Sequence, residues 1–180
     1  MHFGPRYERI FRKIPDQLDE IDLKLLAELE RDADRTNAEL ARLVGLSPAA
    51  TFNRIRRLKD TGVVRAIVAR VDPGVAGFPL QVYVSATLAR HDEAAHRRFE
   101  AAVREMPEVL SADWTTGETD ALLWVVARSV AELQRSLLLL SSRGGAQRVT
   151  TLLRLEEIKP RSPLPLAASD AGRSRRSRSR

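Results

Sequence analysis

The chain has 180 residues, 43% of them hydrophobic, which gives room for one ordinary domain or two small ones and is too apolar for a disordered chain. It has no cysteine and only three histidines. That excludes disulfides, iron–sulfur clusters, zinc ribbons and thiol nucleophiles, and leaves few groups for metal or acid–base sites. The net charge of +6 is uneven: residues 1–70 carry +3, residues 71–160 carry −2 and residues 161–180 carry +5. Such a split fits a nucleic-acid-binding end joined to a segment with another task, and equally a basic tail on ordinary charge scatter. No apolar run is long enough to span a membrane and the start lacks a secretory pattern, so a cytoplasmic location is expected.

Residues 1–15, with Phe3, Arg6, Tyr7 and Phe11, read as an N-terminal extension. A helical period then sets in at Leu18, Ile21, Leu25 and Leu29, with Asp19 placed to cap it and Asp22 at the third following position. Thr36 followed by Glu39 repeats the capping spacing, and the short helix behind it, carrying Leu40, Leu43 and Val44, stops at Gly45. Ser47-Pro48 is a cap residue followed by proline at the first helical position. The third helix runs from there to about Asp60, with Gly62 as its stop. Two short helices joined by a tight Gly45-Leu46 turn, behind a first helix that closes the core, have the spacing of a helix-turn-helix.

At 100° per residue, Phe52, Ile55 and Leu58 share one side of the third helix and are expected to face the core. Asn53 and Arg57 lie nearly opposite, with Ala50 beside them and Arg54 and Arg56 on the flanks. Small residues let a helix sink into the major groove, where Asn pairs with adenine and Arg with guanine or phosphate. The DNA-binding set expected is therefore Thr36, Ser47, Ala49, Ala50, Asn53, Arg54, Arg56 and Arg57. A solvated face with routine arginines is the plainer reading of any one of them.

Val63 to Val71 is β-branched and reads as a strand, which completes a helix-turn-helix domain over 16–71. Asp72-Pro73-Gly74 and Gly77-Phe78-Pro79 mark a hinge at 72–79. Beyond it, residues 80–89 form a strand with Val82, Val84, Ala86 and Leu88 on one face. His91 to Met106 form a helix buried through Phe99, Ala102, Val103 and Met106. Val109–Thr116 and Asp120–Ala127 form strands around a Gly117-Glu118-Thr119 turn. Ser129 caps a helix to about Ser141, and Arg148 to Ile158 form the last strand. The order β-α-β-β-α-β is the ferredoxin-like arrangement, so the chain is α+β, with this second domain over 80–160. One sheet face is left open, with Tyr83 or its neighbours and part of Trp114 and Trp124 on it, and an open apolar face predicts at least a homodimer. Residues 161–180 are Pro/Ser/Ala/Arg-rich and read as a disordered basic tail that attracts phosphate or simply solubilises the chain.

Taken together, the Leu18-Asp19-x-Ile21-Asp22 opening, the Gly45-Leu46-Ser47-Pro48 turn, the Arg54-x-Arg56-Arg57-Leu58 run and the Gly117-x-x-Asp120 turn resemble the Lrp/AsnC family of bacterial and archaeal transcription regulators over about 16–160. The resemblance implies a winged helix-turn-helix that binds double-stranded operator DNA, and a ligand-sensing domain whose sheets pair into dimers that assemble further, commonly into octamers. It implies a small effector, usually an amino acid, lodged near Thr116, Gly117, Thr119 and Asp120. Gly117 permits positive φ there and the Asp120 carboxylate can accept from an α-ammonium group, although a plain hairpin with a self-capping Asp explains the same residues. Thr119 stands where an aromatic residue often precedes the Asp in the family. No cofactor or metal is expected.

Two other readings compete. Sirohaem decarboxylases look like the same architecture turned to haem chemistry, but the segment Leu110–Gly117 has no histidine. A metabolite sensor without DNA binding would not need the third helix as it stands. His91 and His96 are five apart and do not face one metal, His96 and Glu100 share an ordinary polar helix face, and Glu156 and Glu157 point to opposite sides of a strand.

Overall fold

The computed structural model describes residues 18–90 and 92–166. The 1–15 extension, His91 and the tail beyond residue 166 lie outside the described residues. The chain divides into two compact units: residues up to Val68 together with those from Arg161 onward, and Ala69–Pro160.

The first unit is a bundle of three short helices, α1 (Glu20–Arg31), α2 (Asn37–Val44) and α3 (Pro48–Asp60). Each starts where the sequence supplies a cap. Asp19 and Asp22 bond reciprocally as a capping box, Thr36 and Glu39 do the same, and Ser47 accepts from the Ala50 amide with proline just inside the helix. The core is small: Leu25, Leu26, Leu40, Ala41 and Leu58 are buried, and with them Asp22 and Thr51. After α3, the Leu164 amide of the C-terminal segment donates to the Glu30 carboxylate at 2.8 Å.

The strand expected over 63–71 does not form. Ile67, Val68 and Val71 are exposed, and among the described residues this stretch pairs with no strand. Alternation alone does not make a strand.

The second unit holds β1 (Leu80–Leu88), α4 (Glu93–Arg104), β2 (Val109–Trp114), β3 (Ala121–Ala127), α5 (Val130–Ser142) and β4 (Ala146–Leu153). The sheet order is β2-β3-β1-β4, with every neighbouring pair antiparallel, which is the expected ferredoxin-like topology. Val82, Val84, Ala86 and Leu88 of β1 are all buried and form the core with Leu123, Val125, Phe99, Met106 and Leu140. The opposite parity lies on the open side: Tyr83 stands opposite both Trp124 and Leu152. Tyr83, Leu122 and Leu152 are 40%, 39% and 57% exposed.

Two details differ from expectation. Trp114 pairs in register with buried Ala121, so it turns to the helix side rather than the open face. Its indole N–H donates to Glu100 at 3.0 Å and its ring lies 5.5 Å from Phe99. β4 stops at Leu153 instead of continuing to Ile158, because the Arg154 amide on Gln81 is the last rung that β1 can offer.

Candidate nucleic-acid interface and effector turn

The two short helices are locked to each other by backbone chemistry. Gly45 adopts a left-handed φ of 71°, and the Leu46 amide closes back onto the Ala41 carbonyl at 3.0 Å. The Asn37 side chain donates to the Pro48 carbonyl at 2.8 Å and ties the start of α2 to the start of α3. Thr36 and Ser47, both exposed, are the caps of the two helices. The Thr36 hydroxyl donates to Glu39 at 2.7 Å, and this bond holds the Glu39 carboxyl below its usual range.

The inward face of α3 is Thr51 and Leu58, fully buried, with Ile55 half-buried. Phe52, expected in the core, is 56% exposed. The helix is turned about its axis relative to the sequence reading, and the cause is Asp22. That carboxylate is 0% exposed and accepts from Arg54 at 3.0 Å, from Arg57, and from the Asp19 amide at 3.2 Å. Arg54 also donates to Asp19 at 2.5 Å. A buried carboxylate must be matched by charge and donors. Both guanidinium groups therefore swing to the α1 side of α3, and the apolar stripe rotates with them.

Arg57 lies on the exposed side of α3, as expected. Its side chain is half exposed but points to Asp22, and Arg54 is held by Asp19 and Asp22. The helix exposes Ala49, Phe52, Asn53, Arg56 and Arg57, with Pro48 at its start and Lys59 and Asp60 at its end. Ala50 is half-buried at the margin. Arg56 is 71% exposed and its contact to Asp60 is long, 3.7 Å. Of the eight expected DNA-binding residues, Ala49, Asn53, Arg56 and Arg57 are exposed on α3, Thr36 and Ser47 stand at the helix starts, and Ala50 and Arg54 are half-buried, with Arg54 and Arg57 ion-paired to Asp22.

The Gly117 turn, where the effector is expected, joins β2 to β3. Gly117 has a φ of 112°, a conformation that side chains rarely adopt. Thr115 closes the turn, its amide donating to the Asp120 carbonyl at 2.8 Å and its hydroxyl to the Thr119 carbonyl at 2.7 Å. Thr116 and Gly117 are exposed, while Thr119 and Asp120 are half-buried. The Asp120 carboxylate accepts from the Leu88 amide at 2.7 Å, at the point where β1 breaks register with β4. It therefore holds the end of β1, a role that sequence spacing does not reveal. A separate cleft of about 700 Å³, lined by Phe78, Arg128 and Ser136 among others, lies toward the other end of β3. Among the described residues no cluster of three or more His, Cys, Asp or Glu forms a metal site, and no helix is long and apolar enough to cross a membrane.

Residues 18–65 match the winged helix-turn-helix DNA-binding family, and residues 81–164 match the Lrp/AsnC ligand binding domain. The transcriptional regulator AldR of Mycolicibacterium smegmatis is 32% identical over 148 residues, covering 82% of this chain and 86% of that protein. The leucine-responsive regulatory protein of Rhizobium meliloti is 33% identical, covering 79% of this chain and 92% of its own length. Among solved structures, the transcriptional regulator NMB0573 of Neisseria meningitidis in complex with L-Met superposes with a TM-score of 0.77 at 36% identity, covering 84% of this chain and 98% of that one. These relatives are regulators and not enzymes, and nothing in them favours the decarboxylase alternative. The chain belongs to the Lrp/AsnC family and is a DNA-binding transcriptional regulator, a winged helix-turn-helix head followed by an Lrp-type ligand-binding domain.

Proposed function

We propose that the Ala49–Asn53–Arg56 face of α3 enters the major groove of an operator. The observation that carries this reading is that these three residues share one exposed face while Thr51 and Leu58 anchor the other. Asn53 has the amide that pairs with adenine, Arg56 has the fork that pairs with guanine or phosphate, and Ala49 lets the backbone come close. Thr36, Ser47 and Ala50, at the starts and margin of the two helices, approach phosphates. Arg54 and Arg57 set the rotation of α3 by holding Asp22.

The open face of the second unit, around Tyr83, Leu122 and Leu152, pairs with a second copy of the chain, and further assembly up to an octamer builds on that dimer. The effector is a small molecule of the amino-acid class, held near Thr116, Gly117, Thr119 and Asp120. The relative solved with L-Met supports the ligand class, and the turn's exposed backbone supports the place. Effector binding favours one assembly over another and so changes the spacing of paired heads, which must match about 34–36 Å or its multiples along the duplex.

The test is selection of duplexes from a random pool by the full chain, repeated with each proteinogenic amino acid present. An enriched, two-fold related motif whose recovery changes with one class of amino acid is the expected result. Failure to enrich any motif overturns the reading of α3.

A further inference from the structure

We infer that Phe52 is a specificity-determining residue, reading the 5-methyl group of a thymine in the major groove. The inference rests on α3 being the groove-entering helix. Exposed apolar residues are ordinary when scattered singly, and Phe52 alone would mean little. Its position gives it meaning. It lies three residues after Ala49, directly before Asn53 and four before Arg56, so it belongs to the exposed stripe that faces away from the head's core. It is also the fifth residue of α3, in the N-terminal half that recognition helices bring to base edges.

The ring's chemistry narrows what it can contact. A phenyl group neither donates nor accepts a conventional hydrogen bond, so it adds nothing to a phosphate contact. In the major groove the base edges offer one apolar group, the thymine methyl, and Phe is among the side chains that match it. The neighbour agrees: Asn53 carries the side chain that pairs with adenine, whose partner across the duplex is thymine. Phe52 and Asn53 together therefore select an A·T pair or an A·T-containing step. Among the described residues, Thr51 and Leu58 are the buried residues of α3, and Phe52 is not one of them.

The experiment uses the full chain and a duplex selected by it from a random pool, with each thymine replaced in turn by deoxyuridine, which lacks only the methyl group. At one thymine per half-site, loss of the methyl should weaken binding by about fourfold, the value of one buried methyl group. Phe52→Ala should bind the thymine duplex correspondingly less well and become indifferent to deoxyuridine at that position. Phe52→Leu should keep most of the discrimination. Thermal unfolding of both variants should match the parent, since the ring is outside the core. Equal sensitivity of parent and Phe52→Ala to deoxyuridine at every position overturns the inference while leaving the operator reading intact. So does a Phe52→Ala variant that changes the sedimentation of the chain and leaves base discrimination unchanged, which would give this face to a second copy. Failure of the parent to enrich any duplex overturns both.

Discussion

Asp22 of α1 and Arg57 of α3 are joined side chain to side chain, with Arg54 completing the clamp from one turn earlier. The carboxylate is fully buried and the Arg57 guanidinium half exposed, so this is one ion pair with a dry end and a wet end. Deleting the dry end removes three accepted hydrogen bonds but leaves the arginines able to reach water. Asp22→Ala should therefore cost about 1.5–3 kcal/mol of head stability. A double-mutant cycle with Arg57→Ala, read by thermal unfolding, should show coupling of at least about 1 kcal/mol. Additive losses would mean that the pair does not set the rotation of α3.

Asp19 gives the head an acid limit. The Asp22 amide and the Arg54 side chain hold its carboxyl below the ordinary range. A carboxyl depressed in the folded state stabilises fully above its unfolded value, and that stability is lost as pH falls through the folded value. Unfolding midpoints should drop as the pH is lowered below about 4. Asp19→Asn, which keeps a capping oxygen but not the charge, should flatten that part of the profile. An unchanged pH profile in the variant would count against the Arg54 contact.

Much of the head is legible in the sequence because its caps are local. Asp19 with Asp22, Thr36 with Glu39, and Ser47 before Pro48 each satisfy helix-end amides within three residues. The rotation of α3 was not legible, because it is decided by Asp22 from more than thirty residues away in the chain. Helical periodicity fixes which residues share a face, but a buried charge decides which face goes in. The second unit shows the same limit. Alternation in β1 is strong enough to predict its buried side, whereas the Val63–Val71 pattern finds no partner strand among the described residues and stays irregular.

Thr51 carries a buried hydroxyl with no hydrogen-bond partner among the described residues. Valine has nearly the same shape and no oxygen to desolvate. Thr51→Val should raise head stability by about 1 kcal/mol. A lower unfolding midpoint would show that the hydroxyl is satisfied in solution.

Asp120 serves the fold before it serves any ligand. Its carboxylate caps the Leu88 amide beside the register break in β1. Asp120→Ala should cost about 1–3 kcal/mol in the second unit, because a buried N–H loses its acceptor. The proposed effector role adds a second readout, a weaker amino-acid response at temperatures where the variant is still folded. An undiminished response would move the effector away from this turn.

The basic tail should act through charge alone. Removing residues 167–180, which contain five of the chain's arginines, should lower the slope of log affinity against log salt and leave base preference unchanged. A changed base preference would give the tail a role in readout.

We propose above that the outward stripe of α3 reads duplex DNA. The most direct measurement is the ratio of affinities for a selected duplex and a scrambled one, at fixed salt, for the parent and for Asn53→Ala with Arg56→Ala. The ratio should fall by about tenfold or more with unfolding unchanged. A variant that folds normally and still separates the two duplexes as well as the parent would contradict it.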